Sequence, residues 1–161
     1  MKLNSKSLIA VIILTSVIFI GSRLVSIIFE SEEDRIIKTI NKAKKLTERE
    51  NIIGLSNYIS VNYSDESGND KTTLLFIART FFSKYKNVLI VVHKTSVDLD
   101  GDKAAAAIES TVYWQENNSP DITFEELDCA VGFIKIDKAW KLINLEFRDP
   151  AQKRLFNPNI G

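Results

Sequence analysis

NVLIVVHKTSVDLDGDKAAAAIESTVYWQENNSPDITFEELDCAVGFIKIDKAWKLINLEF, residues 87–147, is the stretch that decides the fold. It divides into four β-rich runs, residues 88–99, 103–115, 122–136 and 140–147. Short polar turns separate them. Asp100-Gly101 between apolar runs is a strong hairpin signal, because both residues tolerate positive φ. Asn117-Asn118-Ser119-Pro120 and Asp137-Lys138-Ala139 supply the other two turns. Runs joined this closely pair antiparallel, so the sequence predicts a four-stranded meander. In the first run Val88, Ile90 and Val92 face one way and Leu89, Val91 and His93 the other. The same alternation carries His93 on to Thr95 and Val97.

The chain ahead of this stretch reads as helices that cover one face of the sheet. Ser31 is an N-cap, and Glu32, Glu33 and Asp34 place negative charge on the first turn of a helix. Ile36, Ile40 and Ala43 recur at helical spacing, and Lys42, Lys44 and Lys45 suit its C-terminus. Thr47-Glu48-Arg49-Glu50 has capping-box spacing, which predicts a second helix starting there with Ile52, Leu55 and Ile59 on its apolar face. Residues 61–63 fit a short strand. Ser64 to Asp70 is polar, and Asp70 caps a third helix running to about Lys86. Leu74, Ile77, Ala78, Phe81, Phe82 and Tyr85 give that helix the broadest apolar stripe, the pattern of a helix docked on a sheet.

Length and composition fit one domain with an appendage: 161 residues, 45% hydrophobic and 26% charged. The first 29 residues hold Lys2, Lys6 and Arg23 and no acid, which leaves 18 basic and 21 acidic side chains, a net charge of −3, on the rest. No basic run is long enough to attract nucleic acid, so no nucleic-acid partner is expected. The single cysteine, Cys129, excludes an internal disulfide and reads as a small buried hydrophobe.

Residues 8–29 are almost wholly apolar, interrupted by Gly21-Ser22-Arg23. As a helix they would rise roughly 33 Å, enough to cross a hydrocarbon core. No small-residue cleavage site precedes Glu30, so an uncleaved signal-anchor is expected over a secreted, cleaved form. Lys2 and Lys6 favour a cytoplasmic N-terminus. The organisation expected is a cytoplasmic segment 1–7, a lipid-contacting transmembrane anchor 8–29, an extracytoplasmic domain 30–149 and a tail 150–161.

Three helices followed by a long meander, with Val97-Asp98-Leu99-Asp100-Gly101-Asp102-Lys103-Ala104 at its first turn and a closing Trp140-Lys141-Leu142-Ile143 strand, is similar to the nuclear transport factor 2-like superfamily, nearest its SnoaL-like branch. That resemblance spans residues 32–148. It implies an α+β cone in which a strongly curved antiparallel sheet wraps the third helix and leaves a pocket at the open end. It also implies homodimers through the sheet. Enzymes of that superfamily use a pocket carboxylate as base, with a Tyr, Asp or Arg partner. The candidates here are Asp65 with Tyr63, and His93. Tyr58, Tyr63, Phe81, His93 and Trp114 are the candidate lining of a pocket for a small apolar ligand. Glu126 and Asp128 fit a solvent-facing sheet surface.

Asp98, Asp100 and Asp102, with Glu109 beyond, resemble a calcium loop, but Lys103 stands where the loop's glycine is required, so hairpin is the reading. No metal site and no cofactor is expected. The function expected is a membrane-anchored binding or interaction domain without catalysis. The rivals are a small-molecule isomerase, dehydratase or hydrolase of the SnoaL-like type, and a structural part of a membrane secretion-type assembly.

Overall fold

The computed structural model describes residues 30–149, so the proposed anchor and the tail lie outside the described residues. Among the described residues no helix is long and apolar enough to cross a membrane. Three helices, α1 (Glu32–Glu48), α2 (Ile52–Ser56) and α3 (Lys71–Lys84), precede four strands, β1 (Tyr85–Asp100), β2 (Lys103–Glu116), β3 (Ile122–Ile136) and β4 (Ala139–Phe147). The strands form one antiparallel sheet in the order β1-β2-β3-β4. The α+β class and the meander are therefore as the sequence predicts.

Turn chemistry sets the register. Asp100 pairs with Lys103 across a two-residue loop, with Gly101 at φ 59° and Asp102 not left-handed, the pattern of a type II′ turn. The last hairpin instead has two consecutive left-handed residues, Asp137 at φ 50° and Lys138 at φ 65°, the type I′ pattern. Register shifts at Lys86/Leu89, Val92/Lys94 and Gly132/Phe133 interrupt the ladders and bend the strands. At Gly132 a Cβ atom would stand 2.2 Å from Asn144 Oδ1, so only glycine lets that side chain lie across β3.

Two helical expectations need correction. The first helix does not end before Thr47, because the residues of the apparent capping box are engaged inside it. Thr47 Oγ1 donates to the Ala43 carbonyl at 3.0 Å. Glu48 accepts from Lys44 Nζ at 2.7 Å and from the free edge N–H of Ile90 at 3.0 Å. The second helix begins only at Ile52, where Asn51 accepts the Gly54 N–H at 2.8 Å.

The helix at the centre of the sheet is also not the third. Ile36 of α1 is fully buried, in one cluster with Ala104, Ala106, Val131, Phe133 and Trp140. The alanines of β2 leave the room a helix needs to approach the sheet. No residue of α3 is buried, and its Phe76 is 64% exposed. Lys84 runs straight into Tyr85 of β1, which ties α3 to one end of the sheet. Asn117 closes that junction: its N–H donates to the Lys84 carbonyl at 3.0 Å and its amide to the Ser83 carbonyl at 2.8 Å.

Residues 61–63, expected as a strand, form a turn. Their neighbours cover the outer edge of β4. The Tyr58 carbonyl accepts the Leu142 N–H at 2.8 Å, the Ser60 N–H reaches the Leu142 carbonyl at 2.8 Å, and the Ser64 N–H reaches that of Ile143 at 2.9 Å. An edge strand is thereby kept from pairing with other chains.

If α1 rather than α3 fills the core, Ile36→Ala costs about 2–5 kcal/mol of stability in a denaturant titration. Phe76→Ala, on the exposed side of α3, stays within about 0.5 kcal/mol.

Candidate functional site

The loop from Tyr63 to Asp70 holds the best acid–base pair of the sequence, and the two side chains do meet. Tyr63 is 2% exposed, and its hydroxyl donates to Asp65 Oδ2 at 3.2 Å. The same oxygen accepts from Asn69 Nδ2 at 3.0 Å. Asp65 Oδ1 accepts the N–H groups of Ser67 at 3.0 Å and Asn69 at 2.9 Å. Four donors fill the acceptor sites of a carboxylate. Burial, and then the charge of Asp65, push the Tyr63 phenol well above its ordinary range, so it stays protonated and only donates. The pair acts as a clasp on the loop. Beside it, between α3 and the end of β4, lies a cavity of about 20 Å³ bounded by Leu74, Ile77, Leu145 and Phe147. That is room for one water molecule rather than an apolar ligand.

The other expected pocket residues do not converge there. Phe81 and Trp114 do meet, ring centroids 6.0 Å apart, and Tyr85 touches both. Tyr58 lies across the domain, in the groove described below. His93 is exposed, and its Nε2 stands 2.7 Å from Thr111 Oγ1. It is the extra residue of a bulge, since Val92 pairs with Ser110 and Lys94 with Glu109. One inserted residue reverses facing, so Leu89 and Val91 are exposed while Thr95 and Val97 are half-buried. The alternation read from sequence across His93 therefore breaks at His93.

The outer sheet face carries an apolar row. Leu89 pairs with Tyr113, and Tyr113 with Phe124, so the three side chains line up across β1, β2 and β3. Leu89 is 51% and Phe124 63% exposed, and Ile122 beside them is 71% exposed. Further along the same face Glu126 is exposed and Asp128 pairs with Arg148 at 3.3 Å. Among the described residues no three His, Cys, Asp or Glu side chains are grouped to hold a metal. Cys129 is buried, and burial pushes its thiol up to about 11, the state of an unreactive core cysteine.

A second concavity is larger and open. A groove of about 350 Å³ runs between α1 and the β3–β4 hairpin, lined by Arg35, Lys38, Lys42, Lys138, Lys141 and Tyr58, with Glu30 at one end. Sequence reading passed over it because its cations come from separate segments. The signal that was present is Arg35, Lys38 and Lys42 at positions i, i+3 and i+7 of one helix. Glu32 holds the groove together from below. It accepts from Arg35 at 2.7 Å, from the Trp140 indole N–H at 2.8 Å and from Lys135 at 2.9 Å. Lys135 first, then Trp140 and Arg35, hold its carboxyl down to about 2, against desolvation.

No family model and no curated protein matches the sequence. Solved structures do match in shape. A candidate scytalone dehydratase from Novosphingobium aromaticivorans superposes with a TM-score of 0.66 at 9% identity, over 71% of this chain and 80% of that one. A nuclear transport factor 2-like superfamily protein from Salmonella enterica serovar Typhimurium gives 0.63 at 11% identity, covering 71% and 88%. A candidate dehydratase of the same family from Streptomyces avermitilis gives 0.63 at 12% identity, covering 71% and 92%. The described domain thus has the nuclear transport factor 2-like fold.

Because Asp65 clasps the loop, Asp65→Ala loses about 1–3 kcal/mol in chemical denaturation, while Tyr63→Phe loses about 1 kcal/mol. The carboxyl of Glu32 lies lower in the folded than in the unfolded chain. Its stabilisation is therefore present above about pH 4.5 and fades as the pH falls toward 2. Denaturation curves of Glu32→Gln at pH 7 and pH 3 should differ less than those of the parent.

Proposed function

We propose that this chain is a membrane-anchored, extracytoplasmic interaction domain without catalytic activity, which docks through the outer face of its sheet, first of all onto a second copy of itself. The observation that carries the reading is the Leu89–Tyr113–Phe124 row with Ile122 beside it, in which Leu89, Phe124 and Ile122 stand in water around a half-buried Tyr113. Soluble domains seldom leave such a row uncovered unless something binds it. The anchor in the proposal is residues 8–29, whose length and composition fit a bilayer span. A place in a larger membrane assembly of the secretion type is a variant of the same reading, with a different chain on the sheet face.

A second reading has its own support. Two of the structures with this fold are candidate dehydratases. In a dehydratase, isomerase or hydrolase of the SnoaL-like type, Asp65 would be the base and Tyr63 its partner. Against it stand the four donors already on Asp65 and the one-water cavity beside it. A base needs a free lone pair directed at substrate.

The test uses the full chain. Carbonate-washed membranes should retain it, and recovery in the wash overturns the anchor. In detergent, sedimentation equilibrium should show self-association that Phe124→Asp weakens about ten-fold or more, with an unchanged thermal midpoint at a dilution where both chains are monomeric, since Phe124 is exposed in the single chain. A parent chain that stays monomeric overturns the self-docking reading. Turnover of a hydroxylated cyclic substrate that disappears in Asp65→Asn would install the enzyme instead.

A further inference from the structure

We propose that the cationic groove between α1 and the β3–β4 hairpin binds the phosphate headgroup of an anionic phospholipid. The inference rests on the membrane-anchored reading above. Five cations, Arg35, Lys38, Lys42, Lys138 and Lys141, converge on the groove, against one carboxylate in its lining, Glu30. They do so on a domain of the opposite sign: residues 30–149 carry 21 acidic and 16 basic side chains, a formal net charge of −5. Positive charge gathered in one concavity of an acidic body focuses attraction for an anion there.

The cations are not all spoken for. Arg35 pairs with Glu32 and donates to the Lys138 carbonyl, Lys38 pairs with Glu30, and Lys141 donates to the Asn57 carbonyl. Lys42 and Lys138 have no carboxylate partner among the described residues. They stand on opposite walls, one on α1 and one at the hairpin tip. Lys138 is also held left-handed at φ 65°, where glycine or asparagine is the less strained residue. The type I′ turn sets that conformation, and the lysine at this position adds charge to the groove.

Position selects the source of the phosphate. Glu30, at one end of the groove, follows the apolar stretch 8–29 directly in sequence. If that stretch spans the bilayer, the groove is held within a few residues' reach of the headgroup layer. The tether then raises the local concentration of lipid headgroups far above that of any dilute soluble anion. Tyr58 in the lining suits the same boundary, where a ring can sit between apolar and wet surroundings.

The experiment titrates the full chain, in neutral detergent micelles, with phosphatidylglycerol and separately with phosphatidylcholine, following tryptophan fluorescence. Phosphatidylglycerol should bind at least ten-fold more tightly. Removing one cation, by Lys42→Gln or by Lys138→Gly, should weaken it about five-fold each. Lys138→Gly relieves the left-handed backbone, so its thermal midpoint stays or rises, and lost binding there is not lost folding. Equal affinity for the two lipids overturns the proposal. So does inorganic phosphate displacing the lipid at equal concentration, which would assign the groove to a soluble anion. Carbonate washing reports on the anchor and the lipid titration on the groove, so the two readings fail separately.

Discussion

The domain depends on one helix lying in a bed of small side chains. Ile36 is sealed in the core cluster with Ala104 and Ala106 of β2, and the larger Val131, Phe133 and Trp140 close around it. A strand of bulkier residues would hold α1 off the sheet and open a void, and voids in a core are costly. Polar contacts then tie both ends of the helix to the sheet. Glu32, one turn before Ile36, receives Lys135 and Trp140 from the two strands of the last hairpin. Glu48, at the other end of the helix, caps the free N–H of Ile90 on β1. One helix therefore joins both ends of the strand order, and the α1 surface left outside becomes the wall of the cationic groove.

Much of this was legible in the residues, and the misses have physical causes. The four strands could be read because period-two alternation and turn residues are local signals. Asp70 as the cap of α3 was equally plain, and its side chain does accept the Thr73 N–H at 2.7 Å. The sequence points to α3 as the central helix because its apolar stripe is the wider, whereas burial depends on which helix meets the alanines. The capping-box pattern at Thr47 misled because a hydroxyl can bond back to its own helix as readily as forward. The bulge at His93 left no mark in composition. It exists because β2 offers adjacent partners, Ser110 and Glu109, to residues two apart on β1.

The candidate site was legible only in part. The resemblance pairs Asp65 with Tyr63, and the two side chains touch. Whether they can do chemistry was decided by Ser67 and Asn69, whose N–H groups reach Asp65 only once the loop has closed. Phe81 and Trp114 meet across α3 and β2, while Tyr58 and His93 belong to other surfaces. The basic groove escaped notice for the opposite reason. Its charges are scattered along the chain and gather only when the hairpin tip is laid against α1. The apolar row on the sheet and the cationic cleft at the helix are both features of the outer surface.

The missing linker at Lys84–Tyr85 governs how the molecule can move. With Asn117 stapling the carbonyls of Ser83 and Lys84, helix and strand make one stiff elbow. The Lys84 end of α3 is thereby fixed to the first rungs of the β1–β2 ladder, Tyr85 with Glu116 and Lys86 with Gln115. The joint is in effect a bracket, which lends a helix with no buried residue the rigidity of the ladder to which it is fixed.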